Sequence, residues 1–173
     1  MKKLEMANRL IRGEFIGKDE NKNDRYFSLP LWLSRQLLHG KESRFRTRFL
    51  KMLDDRIKEI EEERIKIAKG CAIKDKKNGI IYLDKDNKET GEEKQGIRFK
   101  FDETGEEKFT KEFIDYLNEK LILDITPSTS ETIYGARDVI LNTDDKFQGR
   151  EALIYDEICE CFEAIKDSGK KKE

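Results

Sequence analysis

His39 is the chain's one histidine, so any Ser-His or Cys-His nucleophile pair would have to use it. It stands beside Gly40, where a histidine near a helix end is commonly a surface or capping residue, and catalysis is not expected there. Three cysteines, Cys71, Cys159 and Cys161, do not compose a zinc site, which needs four ligands or three and a water. Cys159 and Cys161 are two apart on a helical pattern and so point to different faces. Cys161 is expected in the core and Cys159 partly exposed. The odd cysteine count, without framework spacing, fits a reducing compartment.

Phosphate-cradling loops need closely spaced glycines ahead of a helix, and Gly91, Gly96 and Gly105 are too far apart. Asp84, Asp86 and Lys88 begin like a calcium loop, but Glu89 stands where the sharp turn requires glycine and Gln95 where a bidentate glutamate is needed. Asp102, Glu106 and Lys108 have the composition of a magnesium nuclease site. A solvated charged turn accounts for the same residues. No cofactor or metal is expected.

The remaining signal is electrostatic. Arg35, Lys41, Arg44, Arg46, Arg48 and Lys51 gather around the start of a long helical pattern, where the helix dipole disfavours positive charge. Asp54, Asp55, Glu59, Glu61, Glu62 and Glu63 follow. Arg44, Arg48 and Lys51 share one face by their i, i+4, i+7 spacing. Such a face is either a solvated surface balanced by acidic neighbours or a docking patch for an acidic protein surface or a nucleic-acid backbone.

The elements that must carry these residues follow from periodicity. Leu4, Ala7, Leu10 and Ile11 predict a short helix over residues 3–12, and Gly17 to Arg25 a polar loop. Ser28 with Leu29-Pro30 predicts a helix start. That helix would carry Leu31, Trp32, Leu33, Leu37 and Leu38 and end at Gly40. Ser43 is the expected N-cap of the long helix, which ends at Gly70. Its seam, Leu50, Leu53, Ile57, Ile60, Arg64 and Ile67, extended by Phe45 and Phe49, has the 3-4 spacing of a coiled coil or helical hairpin. The seam's partner is either within the chain or in a second subunit.

Beyond Cys71 the period changes. Lys77-Asn78-Gly79 signals a turn, Ile80 to Leu83 a strand, and Ile97, Phe99 and Phe101 a half-buried strand. The hexapeptide Glu-Thr-Gly-Glu-Glu-Lys occurs at Glu89 to Lys94 and again at Glu103 to Lys108, and reads as one charged turn used twice at a sheet edge. Phe109, Phe113, Tyr116, Leu117 and Leu121 mark a helix, and Leu121 to Ile125 a strand belonging to the same small sheet. Ser128 to Ser130 is loop and Asp138 to Leu141 a strand. The last helix runs from Arg150 to Asp167.

Charged residues are 42% of the chain, with 36 basic against 37 acidic. That balance argues against a general nucleic-acid binder, which shows a basic excess. No apolar run approaches the length of a membrane span, and Glu5, Asn8, Arg9 and Arg12 interrupt any signal-peptide core. A cytoplasmic location follows as the expectation. One domain is expected over 1–167, with 168–173 a disordered tail. The fold class is α+β: mainly helical, a long central amphipathic helix with a small antiparallel sheet.

The order of Leu29-Pro30, Ile60-Glu61-Glu62-Glu63-Arg64, Lys69-Gly70, Asn78-Gly79, Leu117-Asn118 and Ala152-Leu153 resembles a group of short uncharacterised tailed-bacteriophage proteins. The similarity covers most of the chain. It departs at Asp84 to Lys108, a charged insertion. The resemblance implies a phage or prophage source and brings no activity with it. The expected function is a non-enzymatic phage-type accessory protein that binds a host or phage protein in the bacterial cytoplasm, as an inhibitor of host defence or an assembly factor. The chain would be a monomer or homodimer. The alternatives are a nucleic-acid-binding module using the basic helix start and a small metal-dependent nuclease.

Overall fold

The computed structural model describes residues 2–76, 79–93 and 98–165. In chain order its elements are β1 (Lys3–Ala7), α1 (Asn8–Arg12), β2 (Glu14–Lys18), β3 (Asp24–Phe27), α2 (Leu29–Ser34), α3 (Gly40–Cys71), β4 (Lys74–Asp75), β5 (Gly79–Ile80), β6 (Tyr82–Leu83), β7 (Glu89–Thr90), β8 (Arg98–Phe99), α4 (Glu103–Asn118), β9 (Lys120–Asp124), α5 (Ser130–Leu141) and α6 (Gly149–Glu163). The fold is α+β, with one long helix and several small antiparallel sheets. Two compact units share it. One comprises Met1–Ile57 and Glu119–Glu173, the other Lys58–Asn118, and α3 passes from the first into the second.

In the first unit, residues 3–12 are not one helix. Leu4 and Met6 are each 1% exposed while Lys3 and Glu5 face solvent. This period of two competes with the helical spacing of Leu4, Ala7 and Leu10. It wins because β1 has a partner: it pairs antiparallel with β9, Leu4 opposite Leu123 and Met6 opposite Leu121. β9 therefore does not join the sheet around Cys71 to Phe101 as expected. Nor is the segment from Gly17 to Arg25 simply a loop, since its two ends are the strands of the β2–β3 hairpin.

That hairpin turns on Asp19, whose carboxylate accepts the backbone N–H of Asn21 and of Asn23, each at 2.9 Å. Lys22 adopts the left-handed conformation (φ 63°) that closes the turn. The N–H of Asn23 is the main influence holding the Asp19 carboxyl below its ordinary pKa.

Ser28 caps α2 as expected, its hydroxyl accepting the Leu31 N–H at 3.2 Å. The helix stops at Ser34 instead of Gly40. Its last bonds tighten to three-residue spacing, Arg35 N–H to Trp32 and Gln36 N–H to Leu33, and Leu37 is left fully exposed. Gly40 instead opens α3. The expected cap Ser43 is already inside the helix, its N–H donated to the His39 carbonyl at 2.8 Å.

Phe49 and Leu53 of α3 are fully buried, and Phe49 packs against Phe162 of α6 with ring centroids 5.8 Å apart. The seam is not continuous: Ile57 is 39% exposed. Asp138 to Leu141 is not a strand but the end of α5, where Ile133, Ala136 and Ile140 are fully buried at helical spacing. α6 begins one residue before the expected last helix, ends at Glu163, short of Asp167, which lies outside the described residues, and buries Ile154, Ile158 and Phe162. Phe147 stacks on Tyr155 with centroids 4.2 Å apart, and Trp32 meets both edge-on. The Tyr155 hydroxyl donates to the Ile140 carbonyl at 2.7 Å.

In the second unit, Ala68, Ala72, Tyr82 and Phe99 form a core, with Ile65, Ile80, Phe101 and Phe109 packed on it. Strand β6 lies between β7 and β8, and β4 pairs with β5. The hairpin joining β6 to β7 repeats the device of the first unit. Asp84 accepts the N–H of Asp86 and of Lys88, each at 2.9 Å, and Asn87 is left-handed (φ 61°). Of the expected features, Lys77 and Asn78 of the turn, Lys94 of the first hexapeptide, Ile97 and the tail 168–173 lie outside the described residues.

The two hexapeptides do not share a conformation. The first copy opens with β7, whereas the second opens α4. Asp102, ahead of the second copy, makes the difference. Its carboxylate accepts the Gly105 N–H at 2.6 Å and its carbonyl the Glu106 N–H, which starts a helix. Lys88 precedes the first copy and cannot do this. Gly105 is also needed for contact, because a Cβ there would overlap the Cys71 carbonyl oxygen, while Gly91 has nothing within 4 Å.

Two outcomes follow. Gly105→Ala should lower stability in urea unfolding by about 1–3 kcal/mol, despite alanine's better helix propensity. Gly91→Ala, at the same place in the same hexapeptide, should change it by less than about 0.5 kcal/mol, and equal effects would refute the contact. The second outcome concerns Tyr155, whose ionisation is pushed up by burial first and then by its bond to Cys159. The unfolded chain ionises near pH ~10 and the folded chain higher. This contribution to stability is complete below the unfolded pKa and is lost as pH rises above it. Unfolding followed from pH ~9 to ~12 should show a steeper decline for the wild type than for Tyr155→Phe.

Candidate functional site: the cationic face of α3

The rise of 1.5 Å per residue and 3.6 residues per turn place Lys41, Arg44, Arg48 and Lys51 in one row on α3, about 15 Å long. All four are exposed. Lys41, Arg44 and Arg48, with Gly40, Phe45 and Glu131, line a cleft of ≈ 530 Å³. One wall is α3 and the other the first turn of α5. What brings the two helices together is Gly135, since a Cβ there would overlap the Phe45 ring. Lys41 Nζ lies 5.7 Å from the centre of that ring, within cation–π range.

The electrostatics distinguish this row from several of the other arginines. Arg9 is bound by Glu157 and lies 3.5 Å from Glu14, Arg25 is 3.6 Å from Glu151, and Arg64 is 2.7 Å from Glu61. Arg44, Arg48 and Lys51 are held in no ion pair with any described residue. Glu42 is the only acid in the first turn of α3. Of the row, only Lys41 and Arg44 lie near the first turn of α3, where the helix dipole disfavours positive charge.

The six basic residues singled out from the sequence do not form one group. Lys41, Arg44 and Arg48 come together in the cleft, and Lys51 continues their row. Arg46 turns the other way: its guanidinium donates to the Gln36 carbonyl and, at 3.1 Å, to the Ser43 hydroxyl. It fixes the loop that enters α3. Arg35 lies in a different cleft of ≈ 620 Å³, among Trp32, Leu37 and the acidic residues Glu42, Asp138 and Asp144. Sequence reading passed over this second cleft. Its acids come from three separate segments, and only the run Asp144-Asp145 hinted at it.

The residues weighed for catalysis have other engagements. Asp102 caps α4, and Lys108 lies 3.8 Å from Glu112. The Asp84 carboxylate is bound to its own turn. His39 is exposed and precedes a helix, so it does not end one. Burial pushes the thiols of Cys71, Cys159 and Cys161 up, away from the thiolate form that reacts. Cys161 is half-buried, not a core residue, and Cys159 likewise half-buried. Among the described residues no group of three or more His, Cys, Asp or Glu side chains is placed to hold a metal ion. No described helix is long and apolar enough to cross a membrane.

Compared with protein-family models, curated proteins and solved structures, the chain matches none.

The division of labour among the arginines is measurable by thermal or urea unfolding. Arg46→Ala should cost about 1–2 kcal/mol, having lost hydrogen bonds from a charged donor. Arg44→Ala and Arg48→Ala, exposed and in no ion pair with a described residue, should each change stability by less than about 0.5 kcal/mol. A loss of stability in the latter two as large as that of Arg46→Ala would make the row structural.

Proposed function

We propose that this chain is a non-enzymatic, phage-type accessory protein. It acts in the bacterial cytoplasm by binding a host or phage protein, as a host-defence inhibitor or an assembly factor. The docking surface is the row Lys41, Arg44, Arg48 and Lys51, and the partner presents an acidic surface to it. The observation that carries the reading is the row itself: exposed cations in no ion pair with a described residue, beside a cleft. Like charges grouped on one exposed face attract a surface of opposite sign. The phage source rests on the order-of-features resemblance.

The same row would also suit a nucleic-acid backbone, since four cations lie along about 15 Å of one helix face. The overall balance of 36 basic and 37 acidic residues favours the acidic protein, because long-range attraction of a polyanion needs a net positive field.

Capture of partners from a bacterial lysate by the wild type and by R44E/R48E tests the reading. The double variant should lose its partner by about 100-fold or more, and the captured protein should be acidic at its contact surface. Undiminished capture would remove the row from the interface. A salt-dependent gel shift, with affinity falling by the third to fourth power of salt concentration, would replace the protein partner with nucleic acid. Magnesium-dependent cleavage of nucleic acid by the purified protein would overturn the non-enzymatic reading.

A further inference from the structure

The cationic cleft has a counterpart in the same unit. The second cleft, of ≈ 620 Å³, carries Glu42, Asp138 and Asp144 around Trp32. Asp145 also lines it, but its carboxylate already accepts from Trp32 Nε1 at 2.7 Å and Gln36 Nε2 at 2.9 Å. Glu42, Asp138 and Asp144 are exposed and in no ion pair with a described residue. Leu37 stands fully exposed beside them. Three unpaired carboxylates therefore line one cleft, with Arg35 as its one cation, and three unpaired cations, Lys41, Arg44 and Arg48, line the other, with Glu131 as its one acid, so the clefts keep opposite net signs. Lys41 and Glu42 are consecutive on α3, and consecutive helical residues do not face each other. One molecule cannot bring its own two clefts together.

We infer that the cationic row of one copy seats in the acidic cleft of a second copy, with Leu37 supplying the apolar contact. The inference rests on the reading of the row as a docking surface and names a competitor for it. The contact is heterologous, so each pair of copies retains one free cationic and one free acidic cleft and adds further copies unless a ring closes. A row occupied by a second copy is closed to an acidic partner. Self-association thus stores the protein in a form that the partner must displace. The pairs are exposed and individually weak, so the association depends on concentration and salt.

Sedimentation of the full chain between about 10 μM and about 1 mM tests this. The wild type should exceed the monomer mass at the upper end. Its association constant should fall at least tenfold when ionic strength rises from about 0.05 M to about 0.5 M, which shortens screening well below ~10 Å. R44E/R48E alone and D138K/D144K alone should each be monomeric. Their equimolar mixture should associate, because the intact cationic row of one variant meets the intact acidic cleft of the other and the two reversed surfaces are complementary as well. The chain carrying all four substitutions should associate again. A wild type that stays monomeric throughout, or a mixture that stays monomeric while the wild type associates, overturns the inference. The docking reading is judged separately: a monomeric wild type that loses an acidic partner through R44E/R48E refutes self-association alone.

Discussion

The contact on which the candidate site depends is the seating of Phe45 on the bare backbone of Gly135. Two helices approach this closely only where one of them lacks a side chain, and here the missing Cβ belongs to α5. The contact sets the first turns of α3 against α5, with Phe49 and Leu53 buried further along α3. With that axis fixed, helical spacing decides the rest. Lys41, Arg44 and Arg48 open on the side of Glu131, and Glu42 on the side of Asp138. The cationic cleft is thus a consequence of one glycine and one phenylalanine. The acidic cleft is built in large part from the irregular segments that follow α2 and α5.

The molecule also shows how little local sequence decides where a neighbouring group can intervene. Six identical residues open a strand at Glu89 and a helix at Glu103. Their own propensities are the same in both places, so the difference must lie outside them. Asp102 offers its carboxylate to the second copy, and the Cys71 carbonyl accepts only a glycine at position 105. The reverse case is the turn at Asp19 and at Asp84. The two sequences differ in most positions, yet an aspartate that holds two N–H groups and a left-handed residue three places on give the same hairpin. One carboxylate in the right place outweighs several residues of propensity.

This explains which parts were legible. The elements read well were those with strong local chemistry: Ser28 before Leu29-Pro30, the long charged helix, and the apolar face of Ile154, Ile158 and Phe162. The errors came where a distant partner chose between two local patterns. Leu4, Ala7 and Leu10 fit a helix until β9 is known to lie beside β1, and Asp138 to Leu141 fit a strand until Ile133 and Ala136 are known to share a buried face with Ile140. In the site, the row of cations was readable because its residues sit on a single helix. The departure of Arg46 from it was not, since its target is a backbone carbonyl ten residues away in a loop. The acidic cleft was invisible for the same reason: Glu42, Asp138 and Asp144 are adjacent only in space.

A chain that is 42% charged and has only 36% hydrophobic residues has limited means of offsetting electrostatic cost within its fold. Folded proteins hold only a narrow margin of stability, so unfavourable placements that serve nothing are easily lost. Elsewhere the fold neutralises several arginines, setting Arg9 between two glutamates and Arg64 against Glu61. The start of α3 is treated differently. Acids near Lys41 and Arg44 would complement the dipole, and acids are plentiful a few turns later, yet the row at Lys41, Arg44, Arg48 and Lys51 carries positive charge. Arg46 shows that one arginine here does structural work by reaching back to Gln36, which requires no cation at the other four positions. The proposed docking to an acidic partner would give the positive charge of the row a use that the fold itself does not.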